Sequence, residues 1–402
     1  MAARKDAPFS QLDRVCADAV AAALSPGGVV LCANEGTVVF HRGFGALELS
    51  PSASDSASDS ASDSAPDSVP DSAPAPVPAT TATIYDVASV TKAVVTSVLA
   101  MRAIDRGALE LDDAVSRHLP EFAGEGKQAV TVRHLLCHAS GLPAHRPLYE
   151  RVPAGPAARA AIALAAAREP LVGAPGVASV YSDLGFILLG WLLERLSNGV
   201  PLDEQAAAAI FRPLGLSSTT FVDLHDDQAR ARLLARAAVA PTERCPVRGR
   251  PIVGEVHDLN AFAMGGVAGH AGLFSDALGL SRIAAALCEA WRNDVRDTLV
   301  SRSVLREFWR PAGISGSTWR LGWDGPSQSG SQAGALMSRR AVGHLGFTGC
   351  SLWIDPERAL WIVLLTNRVH PVVRPDPAFR AFRAAVHDAA VAGCGDAGAP
   401  HA

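Results

Sequence analysis

Features of several protein classes are missing from this sequence of 402 residues. The seven cysteines show no paired spacing, which argues against a disulfide framework and favours reduced thiols in a reducing compartment. The N-terminus has no apolar signal core, and the apolar run from Leu184 to Leu193 is too short to span a bilayer. We therefore expect a cytoplasmic protein without a membrane segment, or a periplasmic one if translation starts elsewhere.

The chain also has no excess of basic over acidic residues. The formal net charge is −4, and residues 50–80 contribute five aspartates without a compensating base, so the rest of the chain is close to neutral. Without a basic excess, nucleic acid is not an expected partner. With 49% hydrophobic and 19% charged residues, the composition is that of a globular protein of enzyme size.

Residues 50–80 consist almost entirely of Ser, Ala, Asp and Pro, with an aspartate at every fourth position from Asp55 to Asp71. This composition buries too little apolar surface to fold. The period of four is compatible with a helix or with a row of calcium-binding carboxylates. The Ser and Pro content and the missing glycine turns favour a disordered insertion instead.

An apolar helix is predicted to begin at Ser89 and to end near Gly107. Its start carries the hydroxyl of Ser89 and the amine of Lys92, three residues apart. Residues three apart share a helix face, so the amine can reach the hydroxyl. A buried lysine of lowered pKa can activate a serine nucleophile, and the first N–H groups of the helix can hold an oxyanion. The alternative is an N-cap serine beside a solvated lysine.

Motifs of other enzymes are absent or incomplete. No Gly-x-Ser-x-Gly elbow occurs, which argues against an α/β-hydrolase. Residues 254–275 form a glycine-rich loop without a phosphate-loop or dinucleotide fingerprint, so we expect an active-site wall. His134 and His138 have the spacing of a zinc-binding helix but lack its glutamate, which favours packed or capping histidines. A metal site that adds His257 is a remote alternative.

Apolar periodicity predicts a sheet and two covering helices from the ends of the chain. Residues 8–24 have a helical pattern, and residues 29–33 and 37–41 form two strands around a hairpin turn. A second hairpin spans residues 350–366. A last helix, roughly 377–390, is expected to pack beside the first one on the sheet.

Three separated motifs follow one another along the chain: Ser89-x-x-Lys92, Tyr181-Ser182-Asp183 and His344-Leu345-Gly346. With the surrounding residues 85–92, 134–143 and 181–190, they resemble the serine β-lactamase and penicillin-binding-protein superfamily. The similarity is to the class C β-lactamase-like branch in particular, which includes D-alanyl-D-alanine carboxypeptidases and esterases. It covers about residues 8–390, apart from the insertion.

This resemblance implies an α+β fold of the β-lactamase/transpeptidase type, in which helices flank an antiparallel sheet built from both termini and a mostly helical lobe lies beside it. The active site would lie between the lobes. The expected divisions are 1–49 for the N-terminal helix and hairpin of the sheet lobe, 50–80 for the insertion, 81–104 for the nucleophile helix, 105–275 for the helical lobe and 276–395 for the C-terminal part of the sheet lobe.

The resemblance also implies a serine hydrolase that cleaves an ester or amide through an acyl-enzyme at Ser89. Lys92 would take the serine proton or lower the pKa of Tyr181, which would protonate the leaving group. The backbone N–H groups of Ser89 and Phe347 would hold the oxyanion. No metal or cofactor is expected, the partner is a small-molecule or peptide substrate, and the oligomeric state is open. The expected substrate-binding residues are Asp183, His344, Gly346 and His270.

Two positions depart from the family pattern and bear on the substrate. Asp183 stands where asparagine is usual, and a carboxylate cannot donate to a substrate amide unless it is protonated. His344 replaces the usual lysine and, with an ordinary pKa of ~6.5, would be mostly neutral at pH 7, which removes a fixed charge for a substrate carboxylate. Ester or amide hydrolysis of broad scope is therefore favoured. The alternatives are a D-Ala-D-Ala carboxypeptidase, a β-lactamase and a non-catalytic ligand-binding protein.

Overall fold

The computed structural model of the protein describes residues 8–49, 75–293, 299–374 and 377–395. The strands in these ranges are β1 (Gly27–Asn34), β2 (Thr37–Gly45), β3 (Tyr85–Asp86), β4 (Thr220–Phe221), β5 (Arg244–Cys245), β6 (Arg250–Pro251), β7 (Leu273–Ser275), β8 (Val342–Leu345), β9 (Ser351–Asp355) and β10 (Leu360–Thr366). The α-helices are α1 (Ser10–Ala21), α2 (Val98–Asp105), α3 (Val115–His118), α4 (Val132–Leu136), α5 (Ala158–Arg168), α6 (Asp183–Leu196), α7 (Leu202–Ala206), α8 (Ala229–Arg236), α9 (Leu259–Ala263), α10 (Ala277–Arg292), α11 (Arg302–Phe308) and α12 (Pro377–Gly393). Lys92–Ser97 and Ala207–Phe211 are π-helical, and Lys127–Ala129 and Leu148–Glu150 are 3₁₀ turns.

Both ends of the chain supply strands to the main sheet, whose antiparallel strands have the order β2-β1-β10-β9-β8. The two predicted hairpins are confirmed as β1–β2 and β9–β10. The first turn has positive φ at both Glu35 (+50°) and Gly36 (+81°), as a tight hairpin between right-twisted strands requires. The N-terminal strands thus come to lie beside the last strands, as predicted.

Alternate residues of β1 face two different cores, because successive side chains of a strand point to opposite sides. Val29 and Leu31 belong to the large core that continues into the helical part of the molecule. Val30 and Cys32 belong to a second core beneath α1 and α12. These two helices pack against each other, which confirms the predicted pairing of the first and last helices.

The predicted nucleophile helix is present and buried, but it differs in detail from the expectation. Helical structure begins at Val90 rather than at Ser89, is π-helical from Lys92 to Ser97, and continues as α2. The Ser97 hydroxyl donates to the Lys92 carbonyl at 2.8 Å, five residues back, and supports the wider turn. The predicted stop is confirmed, since α2 ends two residues before Gly107, which has a φ of +68°.

The α+β architecture predicted from the resemblance is confirmed: helices flank the antiparallel sheet, and the segment between β3 and β7 contains α2 to α9. The short sheet β3-β7-β4 leads into the nucleophile helix. Of the predicted insertion, residues 50–74 lie outside the described residues. Residues 77–79 run beside the end of β2, where Ala46 and Pro78 form an antiparallel bridge. No helix within the described ranges is both long and apolar enough to cross a bilayer.

Candidate active site

Ser89 lies in a tight turn between β3 and the buried helix. Asp86 ends β3, and its carboxylate accepts hydrogen bonds from the N–H groups of Ala88 (2.8 Å) and His257 (2.7 Å). Ala88 has a φ of +48°, a left-handed conformation that is unfavourable for a residue with a Cβ. Asp86 therefore holds a strained turn in place, and the Ser89 side chain emerges from it half-buried.

The Lys92 side chain is fully buried, and three oxygen atoms surround its nitrogen. Nζ lies 2.9 Å from Ser89 Oγ, 2.9 Å from the His270 carbonyl oxygen and 2.8 Å from Asp183 Oδ1. An ammonium has three N–H donors, and each of these three oxygens can accept one of them. The predicted contact between Ser89 and Lys92 is confirmed, and the alternative of a solvated lysine is wrong.

The ion pair with Asp183 decides the charge of Lys92. Burial opposes a positive charge on Lys92, but the nearby carboxylate of Asp183, together with Tyr181, outweighs burial and raises the pKa of Lys92. Burial likewise opposes the charge of Asp183, but the Lys92 ammonium outweighs it and holds the pKa of Asp183 well below its ordinary value. The pair is therefore charged on both sides, which differs from the neutral lysine expected of a buried base.

The start of α6 brings Tyr181 and Asp183 to the nucleophile. Ser182 caps the helix, with its hydroxyl accepting from the Gly185 N–H at 3.3 Å and donating to the Pro143 carbonyl at 2.7 Å. Ser182 is therefore the N-cap residue of α6. The phenol of Tyr181 hydrogen-bonds with Lys92 and Ser89. Burial raises the pKa of Tyr181, an effect that Lys92 opposes and Asp183 reinforces.

His344 reaches the site from β8. Its Nδ1 lies 2.8 Å from the Leu345 carbonyl, which can only accept, so the proton is on Nδ1 and Nε2 presents a lone pair. Nε2 is buried without a hydrogen-bond partner among the described residues. Burial and then the charge of Lys92 lower the pKa of His344 to about 3. The imidazole is thus neutral at physiological pH.

The segment after His344 is fastened to the turn before Ser89. A Cβ on Gly346 would lie 2.5 Å from the Val87 carbonyl oxygen, so only glycine permits this close approach. Thr348 adds a second link, since its hydroxyl donates to the Asp86 carbonyl at 2.7 Å. The half-exposed Phe347 lies between these two anchors.

His270 reaches the site mainly through its backbone. Its carbonyl accepts from Lys92, while its imidazole is buried and Nε2 lies 2.7 Å from Asp258 Oδ1. The Asp258 carboxylate also caps α9 by accepting from the Ala261 N–H. The glycine-rich segment therefore forms a wall of the site, as predicted. Its contribution to the site is the His270 carbonyl oxygen.

Three residues that the sequence did not single out as substrate-facing contact the residues of the three motifs. Trp319 stacks on Tyr181 with a ring-centroid distance of 5.4 Å and lies 5.6 Å from His344. His138 packs against Tyr181 at 4.7 Å, and its Nδ1 accepts from the Ser182 N–H. His145 Nδ1 is 3.6 Å from the second oxygen of Asp183, which raises the pKa of His145. His138 adjoins a recognised motif, whereas no sequence pattern pointed to Trp319.

The predicted packing or capping role of the paired histidines is confirmed. His134 Nδ1 accepts from the Thr131 N–H at 3.2 Å, which closes a capping box on α4. His138 is buried among aromatic rings. Within the described residues, no group of three or more His, Cys, Asp or Glu side chains could hold a metal ion.

The class of protein is defined by a serine–lysine pair, a tyrosine and a glycine-linked strand edge. They lie between an antiparallel sheet and a segment that contains α2 to α9. This is the arrangement of the serine β-lactamase and penicillin-binding-protein superfamily, a superfamily of hydrolases. A family profile described as "Beta-lactamase" matches residues 12–386, and the chain belongs to that family.

Individual relatives agree with this assignment. A protein of Escherichia coli K12 named "Putative D-alanyl-D-alanine carboxypeptidase" is 32% identical over 315 residues, which cover 74% of this chain and 72% of the relative. EstCE1, described as a hydrolase with promiscuous acyltransferase activity, has a similar fold (TM-score 0.70, 20% identity, 96% and 98% of the two chains). The penicillin-binding protein homologue from Pyrococcus abyssi does as well (TM-score 0.66, 22% identity, 92% and 75%).

Proposed function

We propose that this protein is a serine hydrolase that cleaves an uncharged ester or amide through an acyl-enzyme at Ser89. The observation that supports this most directly is the contact of Ser89 Oγ with both the buried Lys92 amine and the Tyr181 phenol. A serine needs a neighbouring base to become a nucleophile, and a non-catalytic cleft would need none of these groups. The membership in a hydrolase family points to the same function.

In this proposal Lys92 remains an ammonium, and Tyr181 accepts the proton of the Ser89 hydroxyl and later donates it. An ammonium has no lone pair with which to accept a proton from Ser89, and the ion pair with Asp183 and the raised pKa of Lys92 favour the ammonium. The reactive form of Tyr181 is the phenolate, a minor species at neutral pH because the pKa of Tyr181 is raised. Its oxygen takes the proton while Ser89 Oγ bonds to the substrate carbonyl carbon. The same proton passes to the leaving alcohol or amine when the acyl–oxygen or acyl–nitrogen bond breaks. Water then attacks the acyl-enzyme and regenerates Ser89.

The oxyanion of the tetrahedral intermediate would be held by the backbone N–H groups of Ser89 and Phe347. Both lie where the fold restrains them: Ser89 follows the turn fixed by Asp86, and Phe347 lies between the anchors at Gly346 and Thr348. Donors fixed before the reaction stabilise developing charge without a cost of reorganisation. This rigidity supports the role expected for both residues.

The charges of the site favour a substrate without a carboxylate. The cation of Lys92 is neutralised by Asp183, and His344 is a neutral ring whose buried Nε2 can accept a hydrogen bond but cannot donate one in this tautomer. A substrate carboxylate beside Asp183 and His344 would meet acceptors and a like charge. A D-Ala-D-Ala carboxypeptidase, the function named for the E. coli relative, is the second candidate.

A substrate panel on matched variants tests the proposal. Wild type and Ser89→Ala are compared on a short-chain neutral ester, the same ester bearing a carboxylate, nitrocefin and a D-Ala-D-Ala peptide. Ser179→Ala serves as the control, because that hydroxyl donates to the Cys137 carbonyl and not to the nucleophile. We expect the Ser89→Ala rate to fall by about 10⁴-fold or more with the control unchanged. A fluorophosphonate adduct should appear on the peptide that contains Ser89.

Two results would count against this assignment. Ester turnover by Ser89→Ala at the wild-type rate would remove the nucleophile. Faster turnover of the D-Ala-D-Ala peptide or of nitrocefin than of the neutral ester would show that the preferred substrate carries a carboxylate. That result would not affect the proposal of an acyl-enzyme at Ser89.

A further inference from the structure

Two cysteines far apart in the chain meet on the outer face of the main sheet. The Sγ atoms of Cys32 and Cys394 lie 3.3 Å apart although 362 positions separate the residues. Cys32 is fully buried on β1, whereas Cys394, directly after the end of α12, is half-buried. All seven cysteines lie in described residues, and no disulfide joins them in this structure.

We infer that Cys32 and Cys394 are a site of oxidative modification, at which a peroxide converts the two thiols into a disulfide. A disulfide places the sulfurs at ~2.0 Å, so the two atoms have to approach by only a little over 1 Å. Cys32 is held on both sides by β2 and β10, and its sulfur is 4.0 Å from the Ala390 carbonyl of α12. Cys394 directly follows the last residue of α12, and helix ends fray more readily than helix interiors.

The chemistry divides naturally between the two thiols. Sγ of Cys394, the more accessible one, attacks an oxygen of the peroxide, breaks the O–O bond, and becomes a sulfenic acid while an alcohol or water leaves. Sγ of Cys32 then attacks the sulfenic sulfur; the S–S bond forms, the S–O bond breaks, and water leaves. The protein loses two protons and two electrons, and the peroxide is reduced.

The thiol of Cys32 is unsuited to the first step. Its hydrogen bond with Cys394 and its burial both raise the pKa of Cys32, so little thiolate is present before Cys394 is oxidised. Because the nucleophile of the first step must also be accessible to the oxidant, reaction should begin at Cys394. Oxidation of the two thiols is consequently slow, and both sulfurs remain reduced until a peroxide is present.

The bond would fasten the C-terminal helix to β1, the second strand of the main sheet. α12 already supports the sheet through Arg383, which donates to the Gly346 carbonyl at 3.3 Å. Cys32 lies in the outer core, on the opposite face of the sheet from the core that contains Val87 and Val90 beside the nucleophile. We therefore expect the disulfide to stabilise the fold and to leave ester turnover unchanged.

The test uses the full-length protein, treated with hydrogen peroxide without denaturant and then alkylated. Intact mass should fall by about 2 Da before alkylation, and a non-reduced digest should contain a peptide pair joined through Cys32 and Cys394. The melting temperature at a fixed scan rate should rise by roughly 3–8 °C, as expected for a cross-link that closes a long loop. Dithiothreitol should reverse both changes.

Cys394→Ser is the main variant, since it changes a residue at a helix end, and Cys245→Ser is the control for a buried cysteine elsewhere. The control should keep the 2 Da loss and the thermal shift, and Cys394→Ser should lose both. The inference is overturned if wild type gains 16 or 32 Da at Cys394 without forming the linked peptide pair. It is also overturned if another pair of cysteines carries the link.

Discussion

At the scale of single residues, one carboxylate sets the charge of the site. In the family pattern an asparagine stands where this chain has Asp183, and an amide would leave the buried Lys92 without a counter-ion. Here the 2.8 Å ion pair satisfies the third donor of Lys92 and keeps it charged. In the proposed mechanism a lysine that is already protonated cannot accept the serine proton, which leaves Tyr181 to exchange it with Ser89.

Removing this carboxylate should move the pH dependence of catalysis. Asp183 raises the pKa of Tyr181 and of Lys92, so Asp183→Asn lowers both and makes the base available at lower pH. We expect the rising limb of the kcat/KM profile for a neutral ester to move down by roughly 1 pH unit or more. The measurement is kcat/KM between pH 5 and pH 10.

Asp258→Asn is the matched control, because this second carboxylate pairs with the His270 imidazole and not with Lys92. The rising limb of the kcat/KM profile of Asp258→Asn should lie at the same pH as that of wild type. A limb that stays in place in Asp183→Asn while KM alone changes would show that Asp183 acts on substrate binding and not on the proton acceptor.

Which site residues could be predicted depended on whether they belong to a chain-local motif. Ser89 and Lys92 are three apart, so helix geometry alone predicted their contact. The ion pair of Asp183 with Lys92 joins two motifs that are far apart in the chain. Only the fold shows that Asp183 accepts a hydrogen bond from the Lys92 amine and raises the pKa of Lys92, which we had expected to be lowered. Trp319 lies in a loop without a pattern, and its stacking on Tyr181 depends on contacts between distant parts of the chain.

At the scale of elements, the site depends on how closely the end of β8 approaches the turn before Ser89. Both predicted oxyanion donors are on these two pieces of backbone. The hairpins and terminal helices were predictable because their apolar patterns are long and regular. The π-helical stretch at Lys92–Ser97 was not, because its hydrogen-bond pattern depends on local contacts such as Ser97 with the Lys92 carbonyl.

Gly346→Ala should separate these two elements. The added Cβ would lie 2.5 Å from the Val87 carbonyl oxygen, so the strand end has to move by several tenths of an ångström or more. We expect kcat/KM for a neutral ester to fall about 100-fold, because a misplaced oxyanion donor loses most of its effect, with a loss of about 1–3 kcal/mol in unfolding free energy. Steady-state kinetics and denaturant unfolding measure the two effects.

Gly173→Ala is a suitable control, since a Cβ there meets no atom within 4 Å. It should retain wild-type kinetics and stability. Wild-type activity in Gly346→Ala, with the variant folded, would mean that the strand end is not held by Val87 during catalysis.

At the scale of the whole molecule, the sheet separates two cores, and the outer core contains a buried titratable group. His387 on α12 is fully buried. Its Nδ1 lies 2.7 Å from the Gln332 carbonyl, and its Nε2 lies 3.1 Å from Ser351 Oγ on β9. A carbonyl only accepts, so Nδ1 carries the proton and the hydroxyl donates to Nε2. Both ring nitrogens are satisfied while the ring is neutral.

This neutral histidine should make the fold sensitive to acid. Burial lowers the pKa of His387 to about 3, whereas a histidine in the unfolded chain titrates at ~6.5. Between these values the unfolded chain binds a proton that the folded protein does not, so stability falls as the pH falls below about 6.5. His387→Gln removes the titrating ring. We expect it to be less stable than wild type at pH 7.5 but to lose less stability between pH 6.5 and pH 5.

Denaturant unfolding at half-unit pH steps measures this difference, which should approach about 1.4 kcal/mol per pH unit well below pH 6.5, the maximum for one proton. The exposed His225 provides the control, because His225→Gln removes a histidine from the surface and should leave the slope unchanged. Parallel curves for wild type and His387→Gln would contradict the assignment, since they would require His387 to be protonated equally in the folded and unfolded states. Because α12 also holds the Gly346 carbonyl through Arg383, activity should be lost together with the fold on the acid side.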